Sequence, residues 1–173
     1  DKVSFYRNSF QHDSHECMLT LFDLFETELI HNNIRYPELK KDNHYKKMFK
    51  DKYTFIHDIF YGVYQTTITC ENNHISNNIE PFIDLSLPCT KGSNLTELIS
   101  NIKTKEILDG ENKFFCEKCK NYVCAEKCTS ISEFPKYNLI IHLKRFENNT
   151  KKISDFVDYP LKMKLNGKEY HLF

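Results

Sequence analysis

The segment from Asp13 to Ile30 carries apolar residues at helical spacing. Its apolar stripe comprises Cys17, Met18, Leu21, Phe22, Leu24, Phe25 and Leu29, and the acidic residues Asp23, Glu26 and Glu28 point elsewhere. Asp13 can cap such a helix, and Glu16 stands three residues later, as in a capping box. The pattern therefore predicts an amphipathic helix that lies on a core.

After the polar segment 31–52, which we interpret as a solvated loop with a short helix near 45–49, strand patterns dominate. The predicted strands are 53–69 (broken by Gly62), 79–87, 122–131, 137–146, 153–159 and 168–173. A helix is predicted to begin at Asn94, which has Glu97 three residues later, to run to about Leu108 and to end at Gly110. The chain shows no internal repeat and no domain linker.

Composition and charge exclude several classes of protein. The chain has 173 residues, of which 40% are hydrophobic, and its 24 basic residues balance its 24 acidic ones. A general nucleic-acid binder is usually basic, so no direct nucleic-acid partner is expected. No apolar run reaches the roughly 20 residues that span a bilayer, so no membrane partner is expected either. The chain opens with polar residues and without Met, and no signal peptide is visible.

Cysteine usage points to metal binding in a reducing compartment. Seven cysteines are an odd number, and two form the pair Cys116-x-x-Cys119. A small disulfide-stabilised secreted protein would favour an even count in a shorter chain. We therefore expect an intracellular location, nuclear or cytoplasmic.

Four short segments, in this order along the chain, carry a family resemblance. They are Gln11-His12-Asp13-Ser14-His15-Glu16; Phe60-Tyr61-Gly62 followed by Cys70 and by Glu80-Pro81-Phe82-Ile83-Asp84-Leu85-Ser86-Leu87-Pro88; Phe115-Cys116-Glu117-Lys118-Cys119 followed by Ala125 and Lys127; and Phe134-Pro135 followed by Ile141-His142-Leu143-Lys144-Arg145-Phe146, Lys152-Ile153 and Tyr159-Pro160-Leu161. The first resembles the Gln-Gln-Asp-Ala-His-Glu box of the ubiquitin-specific proteases, and the second their Pro-Phe-x-Asp-Leu-Ser-Leu stretch. Each pattern alone is weak, but the four share the order and spacing of that family. Two further stretches, His57-Asp58-Ile59-Phe60 and Arg145-Phe146-Glu147, resemble the subgroup that includes the histone deubiquitinase of the SAGA co-activator.

The resemblance implies an α+β, papain-like fold. It assigns residues 1–52 to thumb helices and a loop, 53–131 to β fingers with a zinc ribbon, and 132–173 to palm strands. It also implies a thiol-dependent ubiquitinyl hydrolase, which cleaves the bond after the C-terminal glycine of ubiquitin. Ubiquitin and ubiquitinated proteins are the implied partners, and the subgroup adds a co-activator complex.

The family's catalytic residues are not expected within this chain. In the family, the cysteine box precedes the glutamine–aspartate box and the histidine box follows the last strand, so we expect an internal fragment that is inactive alone. A nucleophilic cysteine needs a lowered pKa and some exposure. Cys17 comes closest, but it falls on the apolar stripe and is predicted to be a structural core residue. His15 matches a packing position of the family, and His142 is predicted to be half-buried on a strand rather than catalytic.

One structural zinc ion is the expected cofactor. Zinc takes four ligands in a tetrahedron, often from two closely spaced pairs, and Cys116 and Cys119 supply one pair. The resemblance places the second pair at Cys70, where the family's second cysteine is missing and His74 is the substitute. Cys124 and Cys128 are rivals for the fourth position. On one strand they would stand about 13 Å apart, so at most one could join.

The resemblance also implies a ubiquitin-binding role for Asp13 and Glu16, which match acidic residues that bind ubiquitin's Arg-rich tail. A capping box needs the same two residues, and both roles can hold because a carboxylate has several acceptor sites. Two alternatives stay open: a pseudo-protease that binds ubiquitin without cleaving it, and a zinc-ribbon interaction module that binds nucleic acid. The balanced charge and the family boxes disfavour the second.

Overall fold

The computed structural model describes residues 6, 10, 12–32, 34, 48–49, 52–89, 92–147 and 151–173. The chain divides into two compact units, Asp1–Phe60 and Tyr61–Phe173. The first contains two described helices, and the second contains the strands and one further helix. This mixture confirms the predicted α+β class. The predicted short helix near 45–49 lies mostly outside the described residues.

The long helix of the first unit, α1, runs over Ser14–His31 and confirms the predicted helix. Asp13 is its N-cap, and its side chain accepts a hydrogen bond from the His15 backbone at 2.8 Å. The prediction that the whole apolar stripe lies on a core is wrong for Leu21 and Phe25, which are exposed. Glu26, which the pattern places off the apolar stripe, is not fully exposed. It is half-buried, and its Oε1 lies 3.9 Å from Nε2 of His57.

The second helix, α2, spans Phe55–Phe60, where a strand was predicted. Short apolar runs do not distinguish a buried strand from a buried helix by periodicity. Here local polar contacts support the helix: the Thr54 backbone donates to Nδ1 of His57 at 3.1 Å, and the Tyr53 hydroxyl donates to the Asp58 carboxylate. Both His57 and Asp58 are buried.

Within its described residues, the second unit contains one helix and twelve strands. They are β1 (Gly62–Cys70), β2 (Ile75–Phe82), β3 (Asp84–Pro88), α3 (Leu95–Ser100), β4 (Thr104–Leu108), β5 (Phe114–Cys116), β6 (Asn121–Val123), β7 (Ala125–Glu133), β8 (Ile140–Lys144), β9 (Phe146–Glu147), β10 (Lys151–Lys152), β11 (Lys162–Leu165) and β12 (Lys168–His171), with a 3-10 turn at Gly110–Asn112. Asn94 caps α3 by accepting from the Glu97 backbone at 2.9 Å, as the sequence predicted. The predicted extension of α3 to Leu108 is wrong, because residues 104–108 form strand β4. The predicted strand 153–159 is also absent from the described structure.

Four antiparallel strands form the largest sheet, in the order β2-β1-β7-β4. Gly62 begins β1 where the ring of Phe82 and the backbone of Glu133 approach closely, and a β-carbon there would stand 2.7 Å from the Glu133 carbonyl oxygen. The close approach explains glycine at this position. The far end of β1 carries Cys70 to a second, smaller cluster of buried residues.

The main core of this unit lies around β3 and β8, which pair in parallel. Its buried residues are Phe82, Leu85, Leu87, Cys89, Leu95, Leu98, Ile99, Phe134 and Val157. The smaller cluster consists of Cys70, Cys116, Val123 and Ala125. Because this cluster has only a few side chains, it buries little apolar surface, and this end of the sheet needs another source of stability. Among the described helices, none is long and apolar enough to cross a membrane.

Candidate metal centre

Two tight turns bring four candidate ligands together at the end of the large sheet. Cys70 closes β1, and the chain turns through Asn73, whose φ of 59° is left-handed. Asparagine tolerates this conformation better than most residues. The Asn73 backbone donates to the Cys70 carbonyl at 2.8 Å, and His74 follows directly. The second turn begins at Cys116, whose carbonyl accepts from the Lys120 backbone at 2.8 Å.

The ligand atoms of Cys70, His74, Cys116 and Cys119 all lie within 4.8 Å of one another, which makes them a possible metal-binding group. The Sγ atoms of Cys70 and Cys119 are 4.0 Å apart. Nδ1 of His74 lies 3.2 Å from Sγ of Cys119 and 3.5 Å from Sγ of Cys116. A disulfide needs sulfur atoms about 2.05 Å apart, so these cysteines are free thiols.

These distances fit a tetrahedral ion. With Zn–S bonds of about 2.3 Å and Zn–N bonds of about 2.0–2.1 Å, the edges of the tetrahedron are about 3.8 Å between sulfurs and about 3.6 Å between sulfur and nitrogen. The three distances given above match the corresponding edges within a few tenths of an ångström, and the remaining pairs of ligand atoms lie within 4.8 Å of one another. Cysteine and histidine are also the donor set that zinc prefers.

The turn at Cys116 favours the thiolate, which is the form that binds metals. The pKa of Cys116 is lowered to about 6, mainly by the hydrogen bond from the backbone N–H of Cys119. Burial acts in the opposite direction and raises this pKa, whereas the hydrogen bond with the His74 side chain lowers it further. For Cys119 the balance differs. The Asn72 amide lowers its pKa, but burial and the thiols of Cys116 and Cys70 outweigh that effect and raise it above the ordinary value.

The rivals for the fourth position lie outside this group. Cys124 and Cys128 are half-buried, and neither belongs to a potential metal group among the described residues. The Cys124 carbonyl accepts from the Glu71 backbone at 2.9 Å, so this residue supports the first turn through its backbone. Cys128 lies within β7, opposite Thr67 of β1 and Lys105 of β4.

Asp13 and Glu16 lie at the start of α1, and both are exposed. Asp13 uses Oδ1 to cap the helix, which leaves acceptor positions on the carboxylate for a second partner. Cys17 is half-buried on the same helix. These residues belong to the first unit, whereas the metal group belongs to the second.

Sequence reasoning missed two polar contacts in the second unit. Asn72 donates its side-chain amide to Sγ of Cys119 at 3.3 Å, and the only sequence signal was the Asn-Asn pair within the first turn. His142 is half-buried, as predicted, and its Nδ1 lies 3.0 Å from the hydroxyl of Ser86, which donates to Asp84 at 2.9 Å. Residues Ser86 and His142 face each other across the parallel pair β3–β8, a pairing that sequence periodicity does not contain.

Comparison with known proteins agrees with the sequence boxes and the fold. A family model described as ubiquitin carboxyl-terminal hydrolase matches residues 2–171. Ubiquitin carboxyl-terminal hydrolases 23 and 4 of Arabidopsis thaliana are 34% and 35% identical over 89% and 69% of the chain. Ubiquitin carboxyl-terminal hydrolase 9 of Saccharomyces cerevisiae is 29% identical over 94% of it. The chain spans only 17%, 36% and 22% of these three relatives. The resemblance to the ubiquitin-specific proteases and the papain-like α+β fold that it implies are thereby confirmed, and the chain belongs to the ubiquitin carboxyl-terminal hydrolase family.

Proposed function

We propose that this chain is a segment of a cysteine-type deubiquitinase, which binds ubiquitin and hydrolyses the isopeptide or peptide bond after its C-terminal glycine. The family match over residues 2–171 carries the proposal. The partners are then ubiquitin and ubiquitinated proteins, and the subgroup resemblance adds a co-activator complex. A nuclear or cytoplasmic location is part of the same proposal, and the free cysteines agree with it.

Within this proposal, the chain contributes recognition rather than bond cleavage. Asp13 and Glu16 bind the cationic tail of ubiquitin through charge-assisted hydrogen bonds, which are stronger than neutral ones. The exposure of both residues and the spare acceptor positions of Asp13 support this role. The thumb, fingers and palm assignments of residues 1–52, 53–131 and 132–173 belong to the same proposal.

The activity is tested with the complete enzyme and a ubiquitin C-terminal fluorogenic substrate. We expect turnover that a thiol-alkylating reagent abolishes. Binding of ubiquitin without turnover would overturn the hydrolase proposal and favour the pseudo-protease. Zinc binding without any affinity for ubiquitin would instead favour the interaction module.

The second part of the proposal is one structural zinc ion held by Cys70, His74, Cys116 and Cys119. The match between the ligand spacings and a tetrahedron supports it, as does the small apolar cluster beside the site. When bound, zinc cross-links the two turns, and its binding free energy becomes folding free energy. His74 takes part through Nδ1, because this ring nitrogen lies 3.2 Å from Sγ of Cys119 and 3.5 Å from Sγ of Cys116.

Elemental analysis of the purified protein tests the stoichiometry, and ligand variants test the assignment. We expect one zinc per chain, with large losses of affinity in Cys116→Ser and His74→Ala and none in Cys124→Ala or Cys128→Ala. Removal of the metal should melt the four-stranded sheet before helix α1. Parent-like affinity in His74→Ala, together with metal loss in Cys124→Ala or Cys128→Ala, would overturn the ligand assignment.

A further inference from the structure

Each thiolate of the candidate metal centre receives an N–H donor. Cys116 accepts from the backbone of Cys119 and of Lys118. Cys70 accepts from the His74 backbone at 3.4 Å. Cys119 accepts from a side chain, the amide of Asn72, at 3.3 Å. The backbone donors survive any substitution that keeps the turns, whereas the donor to Cys119 depends on the identity of residue 72.

Cys119 is also the most accessible of the three sulfur ligands. It is half-buried, whereas Cys70 and Cys116 are buried. Three thiolates outweigh the double charge of a zinc ion, so the proposed site is net negative, and N–H donors to sulfur spread that charge. Partners that orient a ligand and tune its basicity typically change metal affinity by about 10–100-fold. A donor to the accessible thiolate therefore has a measurable effect on metal retention.

The backbone does not account for asparagine at position 72. Among the described residues, the left-handed non-glycine positions are Asn73, Lys120 and Asn166. Asn73 is thus explained by its conformation, but Asn72 has no such requirement. What Asn72 supplies is the amide that spans the two turns, from a residue that follows β1 to a sulfur that follows β5.

We propose that Asn72 is a positioning residue for the metal: its amide holds the Cys119 thiolate in place and slows loss of the ion. The inference rests on the proposed zinc site. Asn72 does not bind the metal itself, and it acts only through Cys119. Its loss should appear as weaker zinc affinity in competition with a chelator, because the most accessible ligand is the one that detaches most readily.

Asn72→Ala and Asn72→Asp test the proposal, with Asn78→Ala as the matched control. The aspartate variant keeps a residue that favours turns but loses the N–H donor. The Asn78 amide donates to the Glu80 carboxylate at 2.8 Å on the exposed strand β2. In zinc competition with a chelating dye, we expect the dissociation constant to rise about 10–100-fold in Asn72→Ala. It should rise at least as much in Asn72→Asp and stay unchanged in the control.

A second measurement uses the unmutated protein and does not depend on the folding of any variant. With the cadmium isotope ¹¹³Cd in place of zinc, the side-chain amide protons of Asn72 should couple to the metal nucleus across the hydrogen bond to Cys119. Absence of that coupling would overturn the inference, as would parent-like affinity in either Asn72 variant. If the parent binds no zinc or cadmium, the proposed site itself fails, and this inference fails with it. If the parent binds metal but the Asn72 variants match it, only this inference fails.

Discussion

Asp13 is expected to have two roles, and two substitutions separate them. Its Oδ1 accepts a hydrogen bond from the His15 N–H at 2.8 Å and caps helix α1. In the proposed function, the same carboxylate also binds the Arg-rich tail of ubiquitin. Asp13→Ala removes both the cap and the charge. Asp13→Asn removes the charge but keeps a side-chain oxygen for the cap, because asparagine and aspartate are about equally good N-cap residues.

The magnitudes differ between the two roles. Loss of an N-cap costs about 1 kcal/mol of stability, so Asp13→Ala should lower the free energy of unfolding by that amount. Asp13→Asn should lower it only by the few tenths of a kcal/mol that a negative charge contributes near a helix N-terminus. Both variants should raise KM for ubiquitin substrates about tenfold, which corresponds to about 1.4 kcal/mol of binding.

Urea unfolding of the chain measures the cap, and steady-state hydrolysis by the complete enzyme measures ubiquitin binding. An increase in KM with unchanged kcat would show loss of uniform binding rather than of transition-state contacts. If Asp13→Asn keeps the parent KM, the charge does not bind ubiquitin. If Asp13→Ala then also keeps it while stability falls, capping is the only role of Asp13.

Three further predictions concern His57, Gly62 and the activity of the chain alone. Burial lowers the pKa of His57 from 6.5 to about 4. The contribution of His57 to the free energy of unfolding is therefore fully present above pH 6.5, and it falls by about 3 kcal/mol as the pH drops toward 4. A free energy of unfolding that stays constant between pH 7 and 4 in urea experiments would refute this. Gly62→Ala places a β-carbon 2.7 Å from the Glu133 carbonyl oxygen, so the free energy of unfolding should fall by about 1–3 kcal/mol, and parent-like stability would contradict the close approach. The 173-residue chain alone should not hydrolyse a ubiquitin fluorogenic substrate, and turnover above a Cys17→Ala control would be evidence that Cys17 is a nucleophile.

Local signals fixed those elements whose stabilising contacts are close in sequence. The Asp13 cap and the apolar spacing after it predicted α1 to within a residue at either end. Asn94 and Glu97 likewise marked the start of α3. The Cys116-x-x-Cys119 pair identified one half of the candidate metal centre, since its two thiols come from a single turn. In each case the residues that determine the structure lie close to one another in the sequence.

Non-local pairing decided the elements that the sequence pattern missed. Residues 104–108 continue a helical pattern after α3, but they pair with β7 and become an edge strand. Strand formation depends on cross-strand neighbours more than on intrinsic preference. The parallel pair β3–β8, which places Ser86 beside His142, joins segments 56 residues apart. Periodicity along the chain contains no information about such a partner.

By itself, the sequence determined the family, the α+β class, the long first helix and the cysteine pair, because these follow from short boxes and local spacing. The sequence also named Cys70 and His74 as the other two members of the candidate metal group, but only the tertiary structure separated His74 from its rivals Cys124 and Cys128. It brings Nδ1 of His74 to 3.2 Å from the sulfur of Cys119, 45 residues away, and leaves Cys124 and Cys128 outside the group. It also places the Asn72 amide on that sulfur. The physical reason is that metal ligation and hydrogen bonding depend on distances of a few ångströms. These distances are determined jointly by the pairing of β1 with β7 and by the two turns.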